Sequence, residues 1–276
     1  MIRILKPGDE DALEAFLRPH ADTSMFLRSN ARRAGLDDQG QPLQATYAAS
    51  FVADGINAVA AHCWNGILLV QAPERLREVT HKALSTSGRA LKGISGPAEQ
   101  VQAARDSIGV RQPTLDDAEL LFSLDLLELR VPVLLARLTF RHPREEDLPQ
   151  LIAWREQYLL ETGLSTPGPQ LRHDAKSGIE LLQVQGDQWL LEDAGNLVAY
   201  TAFNARLPEI VQVGGVWTPP PLRGRGYARC AVAGSLLEAQ AGGAQRAILF
   251  TSSAQAARAY EALGFEQSGR YGLLII

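Results

Sequence analysis

One arrangement of residues occurs twice along this chain and constrains its fold more than any single motif. Ile2–Leu5 forms a short apolar segment, followed by Pro7, Asp11 and the helical apolar set Ala12, Leu13, Phe16 and Leu17. Leu138–Arg141, Pro143, Asp147 and then Leu148, Leu151, Ile152 and Trp154 repeat that strand, proline, acid, helix order. Alternating strands follow in both halves. Tyr47–Val52, Ala58–Trp64 and Ile67–Gln71 correspond in order to Trp189–Glu192, Leu197–Phe203 and Ile210–Trp217. Asp193-Ala194-Gly195-Asn196 supplies a hairpin turn in the second set. Each half then carries a helix, a short strand (Leu91–Ile94 in the first) and a helix closed by glycine, Gly109 or Gly264. Two similar α/β (α+β) domains account for this, at 1–134 and 135–276, joined near Val131-Pro132-Val133. A single large domain would leave the two sets of similar elements unexplained.

The halves differ after their third strand. Ile67–Gln71 runs into Ala72-Pro73-Glu74-Arg75, which has no glycine. Ile210–Trp217 runs through Thr218-Pro219-Pro220-Pro221-Leu222 into Arg223-Gly224-Arg225-Gly226-Tyr227-Ala228, the start of a helix ending near Ala241 and Gly242-Gly243. Glycines allow close backbone approach, and the first amides of a helix lack intrahelical partners. With the positive end of the helix dipole they form a cradle for a phosphate or diphosphate. No Lys-Ser or Lys-Thr follows, so a nucleoside-triphosphatase loop is excluded. A dinucleotide fingerprint fails too, because Arg229 stands where its third glycine belongs and Thr251-Ser252-Ser253 where its acid belongs.

Arg223, Gly226 and Ala228 do fit R-x-x-G-x-[GA], which resembles the pyrophosphate loop of the GNAT acyltransferases; the lead-in Val216-Trp217-Thr218 resembles theirs also. Downstream, the strand Ala247–Thr251 leads to a helix from about Ser253 to Leu263. Here Ser253, Ala256, Tyr260, Gly264 and Phe265 fall in register with the GNAT pattern N-x-x-A-x-x-x-Y-x-x-x-G-F. Ser253 replaces the asparagine, and its hydroxyl is suited to capping the helix. The resemblance implies two tandem GNAT-like domains, each a mixed, mostly antiparallel sheet with a splayed parallel pair of central strands, flanked by helices. Aligning Gly109 with Gly264 sets Arg105 against Tyr260, so the first half resembles a degenerate copy without cradle or acid. The Arg28-Ser29-Asn30 to Gly35-Leu36 stretch resembles a bacterial subgroup of such tandem proteins.

What the resemblance implies is an N-acyltransferase using acetyl-CoA as co-substrate and needing no metal. Its contacts are expected at Val216, Trp217, Thr218, Arg223, Gly224, Arg225, Gly226, Tyr227, Ala228, Ser253, Ala256 and Tyr260. A non-catalytic acyl-CoA sensor or scaffold is the alternative. Acyl transfer from a thioester to an amine develops an oxyanion and expels a thiolate. Gly214-Gly215 implies a bulge that turns an amide, that of Val216, toward the acyl carbonyl. Tyr260 then protonates the sulfur, its unperturbed pKa of ~10 being close to that of a thiol. Neutralising an amine of pKa ~10.4 costs about 4.6 kcal/mol at pH 7. Glu209 and Glu192 are candidate bases, although each is better read as a solvated strand-end carboxylate, and an α-amine or aryl amine acceptor needs no dedicated base. The acceptor stays open among a free amino acid, a polyamine, an antibiotic amine and a peptide N-terminus.

Composition bounds the remainder. The formal charge of −4 and the absence of any Lys/Arg run argue against nucleic-acid binding. Cys63 and Cys230 lie far apart without metal spacing and read as buried thiols of a reducing compartment. His20, His62, His81, His142 and His173 form no ligand pair. Met1–Pro7 lacks a signal-peptide core, and no stretch approaches ~18 apolar residues, so a cytoplasmic monomer or homodimer without membrane contact is expected.

Overall fold

The computed structural model describes residues 1–53 and 55–276. The chain forms two compact units, one of residues 1–120 with 269–276 and the other of residues 121–268. The first contains β1 (Ile2–Ile4), α1 (Glu10–Leu17), α2 (Ala21–Ala34), β2 (Ala45–Val52), β3 (Gly55–Cys63), β4 (Ile67–Gln71), α3 (Leu76–Ser87), β5 (Gly93–Pro97) and α4 (Ala98–Ile108). β6 (Leu115–Asp125) then leads into the second unit, which holds β7 (Thr139–Arg141), α5 (Leu148–Glu161), α6 (Pro169–Gln185), β8 (Gln188–Asp193), β9 (Asn196–Arg206), β10 (Ile210–Trp217), α7 (Tyr227–Ala241), β11 (Arg246–Thr251) and α8 (Ala254–Glu261). β12 (Glu266–Ile275) ends the chain.

The sequence boundary at 134/135 and the spatial one do not coincide. The first unit's strands run β1-β2-β3-β4-β5-β12 and the second unit's run β6-β11-β10-β9-β8-β7. Each half therefore sends its closing strand to the other unit's sheet. In the first unit, Tyr271–Ile275 of β12 pairs antiparallel with Gly93–Pro97 of β5. Glycine permits this close fit, since a Cβ on Gly93 would stand 2.4 Å from the Leu274 carbonyl oxygen. Two glycines also explain why β5 starts at Gly93 and not at Leu91: the strand is selected by close packing, while its residues have weak strand preference.

The repeat is present at atomic level, with one correction to its register. Arg3 donates from both terminal nitrogens to Asp9 (2.6 Å each), and Asp9 accepts the Lys6 amide at 2.9 Å. Arg141 donates to Asp147 at 2.7 and 3.1 Å, and Asp147 accepts the Arg144 amide at 2.7 Å. The acid equivalent to Asp147 is thus Asp9, six residues after its arginine, and not Asp11, which sits in the first turn of α1. The prolines are a poor guide to register because neither takes part in this clamp.

Each unit packs helices on both faces of its sheet. In the first, α1 and α2 cover Tyr47, Ala49, Val59 and Ala61, while α3 and α4 cover Ala48, Ala58, Ala60 and Ile94. In the second, α5 and α6 cover Leu190, Tyr200, Ala202 and Trp217. α7 takes the other face, beside Leu191, Val198 and Ala199, using small residues to lie close. A Cβ on Gly234 would come within 2.6 Å of the Phe140 ring. Cys63 and Cys230 are free, buried thiols, and burial pushes Cys63 up to about 12. Among the described residues no helix is long and apolar enough to cross a membrane.

Candidate active site

A gap in the second sheet defines the site. β10 and β11 start as parallel neighbours, with Ile210, Val211 and Gln212 opposite Arg246, Ala247 and Ile248. The pairing goes no further, so the two strands splay as expected. On its other side β10 pairs antiparallel with β9, but the register shifts between Gly214 and Trp217, which is the anticipated bulge. Gly215 takes φ +62° there. Gly214 has no room for a side chain, since a Cβ would stand 2.0 Å from Asn204 Nδ2. The backbone of Gly215 and Val216 is thereby released from the β9 ladder, and Val216 becomes partly exposed.

Beyond the bulge the chain enters the glycine loop. Pro220–Leu222 makes one 3-10 turn, with the amides of Leu222 and Arg223 satisfied by Pro219 and Pro220. Gly224 at φ +77° and Gly226 at φ +86° occupy the left-handed region that disfavours side chains. Gly226 is the N-cap of α7 and offers no side-chain acceptor, which leaves the amides of Tyr227, Ala228 and Arg229 pointing out of the first turn. Arg223, Gly224 and Arg225 are exposed around this terminus.

Several expected contact residues also hold the loop in shape. Arg223 Nε donates to the Thr218 carbonyl at 3.0 Å, its guanidinium lies 4.9 Å from the Trp217 ring centroid, and Nη2 reaches Glu161 at 2.8 Å. The Tyr227 hydroxyl donates to Asp193 in the β8–β9 turn, and this bond raises the phenol's pKa. From Tyr227 only the backbone therefore faces the cradle.

The other lip of the gap carries β11 and α8. Ser253 caps α8 by accepting the Ala256 amide at 3.3 Å, while Thr251 Oγ1 accepts the Ser253 amide. Tyr260 is buried one turn further on, edge-on to Phe265 with centroids 6.1 Å apart. Its carbonyl accepts the amides of both Leu263 and Phe265. Gly264 comes next to Leu263 at φ +104°, where a Cβ would sit 2.7 Å from the Glu128 carbonyl oxygen. The Gly-Phe ending thus reflects a close backbone crossing that fixes the end of α8.

The two candidate bases are not brought to the open end. Glu209 precedes β10, and its carbonyl accepts the amides of Gln245 and Arg246 at the closed end of the pair. From there to Val216 is about 23 Å along a strand. Glu192 accepts from Arg141 at 2.8 Å as part of the second clamp. Both stand as strand-end carboxylates.

Two features carry no signal in the sequence. Gln212 is buried at the last paired position, and neither atom of its carboxamide has a hydrogen-bond partner among the described residues. A small pocket also opens against the bulge, walled by the aromatic rings of Trp154, Tyr158, Tyr200 and Trp217 and by Arg155 and Gly215. α6, which supplies Ile179 to that pocket, has no motif that would mark it.

Residues 148–265 match the model of the Acetyltransferase (GNAT) family. No curated protein matches the chain in sequence. Solved structures of the same fold include a Drosophila protein at 12% identity and TM-score 0.67, covering 100% of this chain and 98% of that one. A GCN5-related N-acetyltransferase from Sphaerobacter thermophilus has 15% identity and TM-score 0.60, over 99% and 94% of the two chains. A tandem GNAT protein from the clavulanic acid biosynthesis pathway has 13% identity and TM-score 0.55, over 100% and 98%.

Proposed function

We propose that this chain, a GNAT-superfamily protein of tandem layout, moves an acetyl group from acetyl-CoA to a primary amine by direct attack, using residues of 135–276. The observation that carries the reading is one continuous track in the second unit. Parted strands lead to a bulge at Gly214–Trp217, which leads to a glycine loop at the N-terminus of α7. A diphosphate fits that terminus, where free amides and the helix dipole converge and the loop arginines add positive charge. Past Gln212 the edge of β10 is unpaired with β11, which leaves backbone groups for an extended amide-bearing arm to bond.

Acetyl-CoA supplies the acyl group as a thioester. The amine nitrogen bonds to the carbonyl carbon, the carbon–sulfur bond breaks, and the electron pair leaves with sulfur. The Val216 amide donates to the carbonyl oxygen as it gains negative charge. Tyr260, on the helix after β11, hands its proton to the sulfur and recovers one from solvent. The ammonium proton leaves to water, since Glu209 stands at the far end of β10.

Calorimetric titration of acetyl-CoA into the full chain, with an assay of thiol release in the presence of amines, tests the reading. One site per chain is expected. Gly226→Val places a branched side chain at φ +86° over the loop and should lower affinity at least about 10²-fold while preserving the fold. Two equivalent sites, or unchanged affinity in the variant, would defeat the assignment.

A further inference from the structure

Arg155 lies on α5 with its guanidinium 4.9 Å from the Tyr158 ring centroid. Its Nη1 is 3.5 Å from where a Cβ on Gly215 would stand, and its Nε is 3.8 Å from the same point on Gly178. That Nε is buried and has no hydrogen-bond partner among the described residues. The acids on its own helix are committed elsewhere, Glu156 to Arg172 at 2.9 Å and Glu161 to Arg223 at 2.8 Å. Arg155 is thus a cation facing an aromatic pocket, without a carboxylate partner among the described residues.

The surroundings select what can answer it. The pocket wall holds Leu151, Trp154, Ile179 and Trp217 and no acidic side chain. A polyamine or a polycationic antibiotic needs carboxylates to receive its extra ammonium groups, and here each would meet a guanidinium instead. An anionic acceptor gains a charge-assisted bond to a planar fork already aligned over Tyr158. The bulged Gly215 beside Arg155 adjoins Val216, whose amide the proposed reaction uses. A carboxylate seated on Arg155 therefore holds an amine a bond or two away next to the acyl carbonyl.

We infer that Arg155 is the specificity-determining residue that binds the acceptor's carboxylate, and that the acceptor is a free amino acid. This rests on the acyl-transfer reading and narrows it.

The test uses the full chain, acetyl-CoA and three pairs of probes: L-leucine, L-phenylalanine and L-tryptophan, each beside its carboxamide. Wild-type kcat/KM should favour the acids on the order of 10²-fold, the scale for losing one partner of a buried charge pair. Arg155→Met should erase that preference, and Arg155→Lys should keep part of it, while acetyl-CoA affinity by calorimetry stays constant in all three proteins. Amides used as well as acids, or no acid acetylated by a protein that binds acetyl-CoA, overturns the inference and leaves acyl transfer standing. A wild-type chain that fails to bind acetyl-CoA removes the acyl-transfer reading and this inference with it.

Discussion

The gap between β10 and β11 has a counterpart between β4 and β5, and both begin with three parallel pairs. In the first unit these are Ile67, Leu68 and Leu69 opposite Gly93, Ile94 and Ser95. Past the third pair the two units part ways. The strands of the first unit stay together: a Cβ on Gly96 would stand 2.5 Å from the Val70 carbonyl oxygen. The Ala72 amide is taken by the Gln100 side chain at 2.6 Å, and Gln71 accepts the hydroxyls of Thr23 and Ser24 at 2.8 and 3.2 Å. α3 starts after Arg75, held in the left-handed region and paired with Glu78, and the preceding Glu74 accepts from Asn57 at 2.9 Å. The arginine at that terminus is neutralised by Glu78, whereas Arg225 beside the second unit's terminus has no ion pair among the described residues. The pairing that builds the sheet is shared. The backbone groups past the third pair are taken up within the first unit, and the proposed acetyl-CoA track uses those of the second.

The largest expected difference between the units lies at aligned helix positions. Tyr260 is buried beside Phe265, whereas Arg105 turns to Asp116 and to the Val110 carbonyl. Tyr260→Phe keeps the ring and removes only the hydroxyl, the proposed proton donor. It should lower kcat and kcat/KM together by about 10²-fold, with acetyl-CoA affinity nearly unchanged. Arg105→Ala should change neither quantity. Thiol-release kinetics on the two variants, measured where chemistry limits turnover, decide the matter. A Phe variant with wild-type kcat would return Tyr260 to packing.

The two buried glutamines give a smaller effect of opposite sign. Gln71 is satisfied by hydroxyls, and Gln212 by nothing among the described residues. Replacing an unsatisfied buried amide with an apolar group of similar size recovers its desolvation cost, about 1–3 kcal/mol. Gln212→Met should therefore raise the urea midpoint, and Gln71→Met should lower it by stranding the Thr23 and Ser24 hydroxyls. Saturating acetyl-CoA should shrink the Gln212→Met gain, because filling the gap gives the wild-type amide a partner. A lower midpoint for Gln212→Met would show that its carboxamide is better satisfied than its surroundings indicate.

Much of the molecule is legible in its residues, and the remainder is hidden for identifiable physical reasons. Ile67–Gln71 and Ile210–Trp217 announce themselves as strands through short apolar runs with β-branched residues, and Gly224 and Gly226 announce a loop that needs positive φ. The exchange of β6 and β12 leaves no trace, because strand composition records burial and not which neighbour provides it. Glu209 looks suitable as a base because sequence distance from the loop does not reveal which end of a strand is open. Arg155 carries no signal at all, since an arginine on an amphipathic helix normally points to water. Its role emerges only when Tyr158, Gly178 and Gly215 are placed around it.

The smallest expected effect concerns what the units share. Hydrogen bonds from Arg3 depress the Asp9 carboxyl to about 2, and those from Arg141 depress Asp147, in each case against the opposing pull of burial. An unfolded Asp titrates near ~3.9, so below that pH the unfolded chain binds more protons than the folded one. The stability the Arg3–Asp9 clamp contributes is complete above pH ~4 and is lost as pH falls through about 2, and the Arg141–Asp147 clamp weakens in the same direction as pH falls. With the Arg3 and Asp9 side chains 37% and 18% exposed, solvent screening holds that contribution to roughly 1 kcal/mol. Asp9→Asn should flatten the decline of the urea midpoint between pH 4 and pH 2, and Asp147→Asn should do the same. The clamps share no partner, so the double variant should flatten it by the sum. If only one substitution changes the acid slope, the two halves are not held alike where their sequences repeat, and the equivalence of Asp9 with Asp147 fails as an energetic statement.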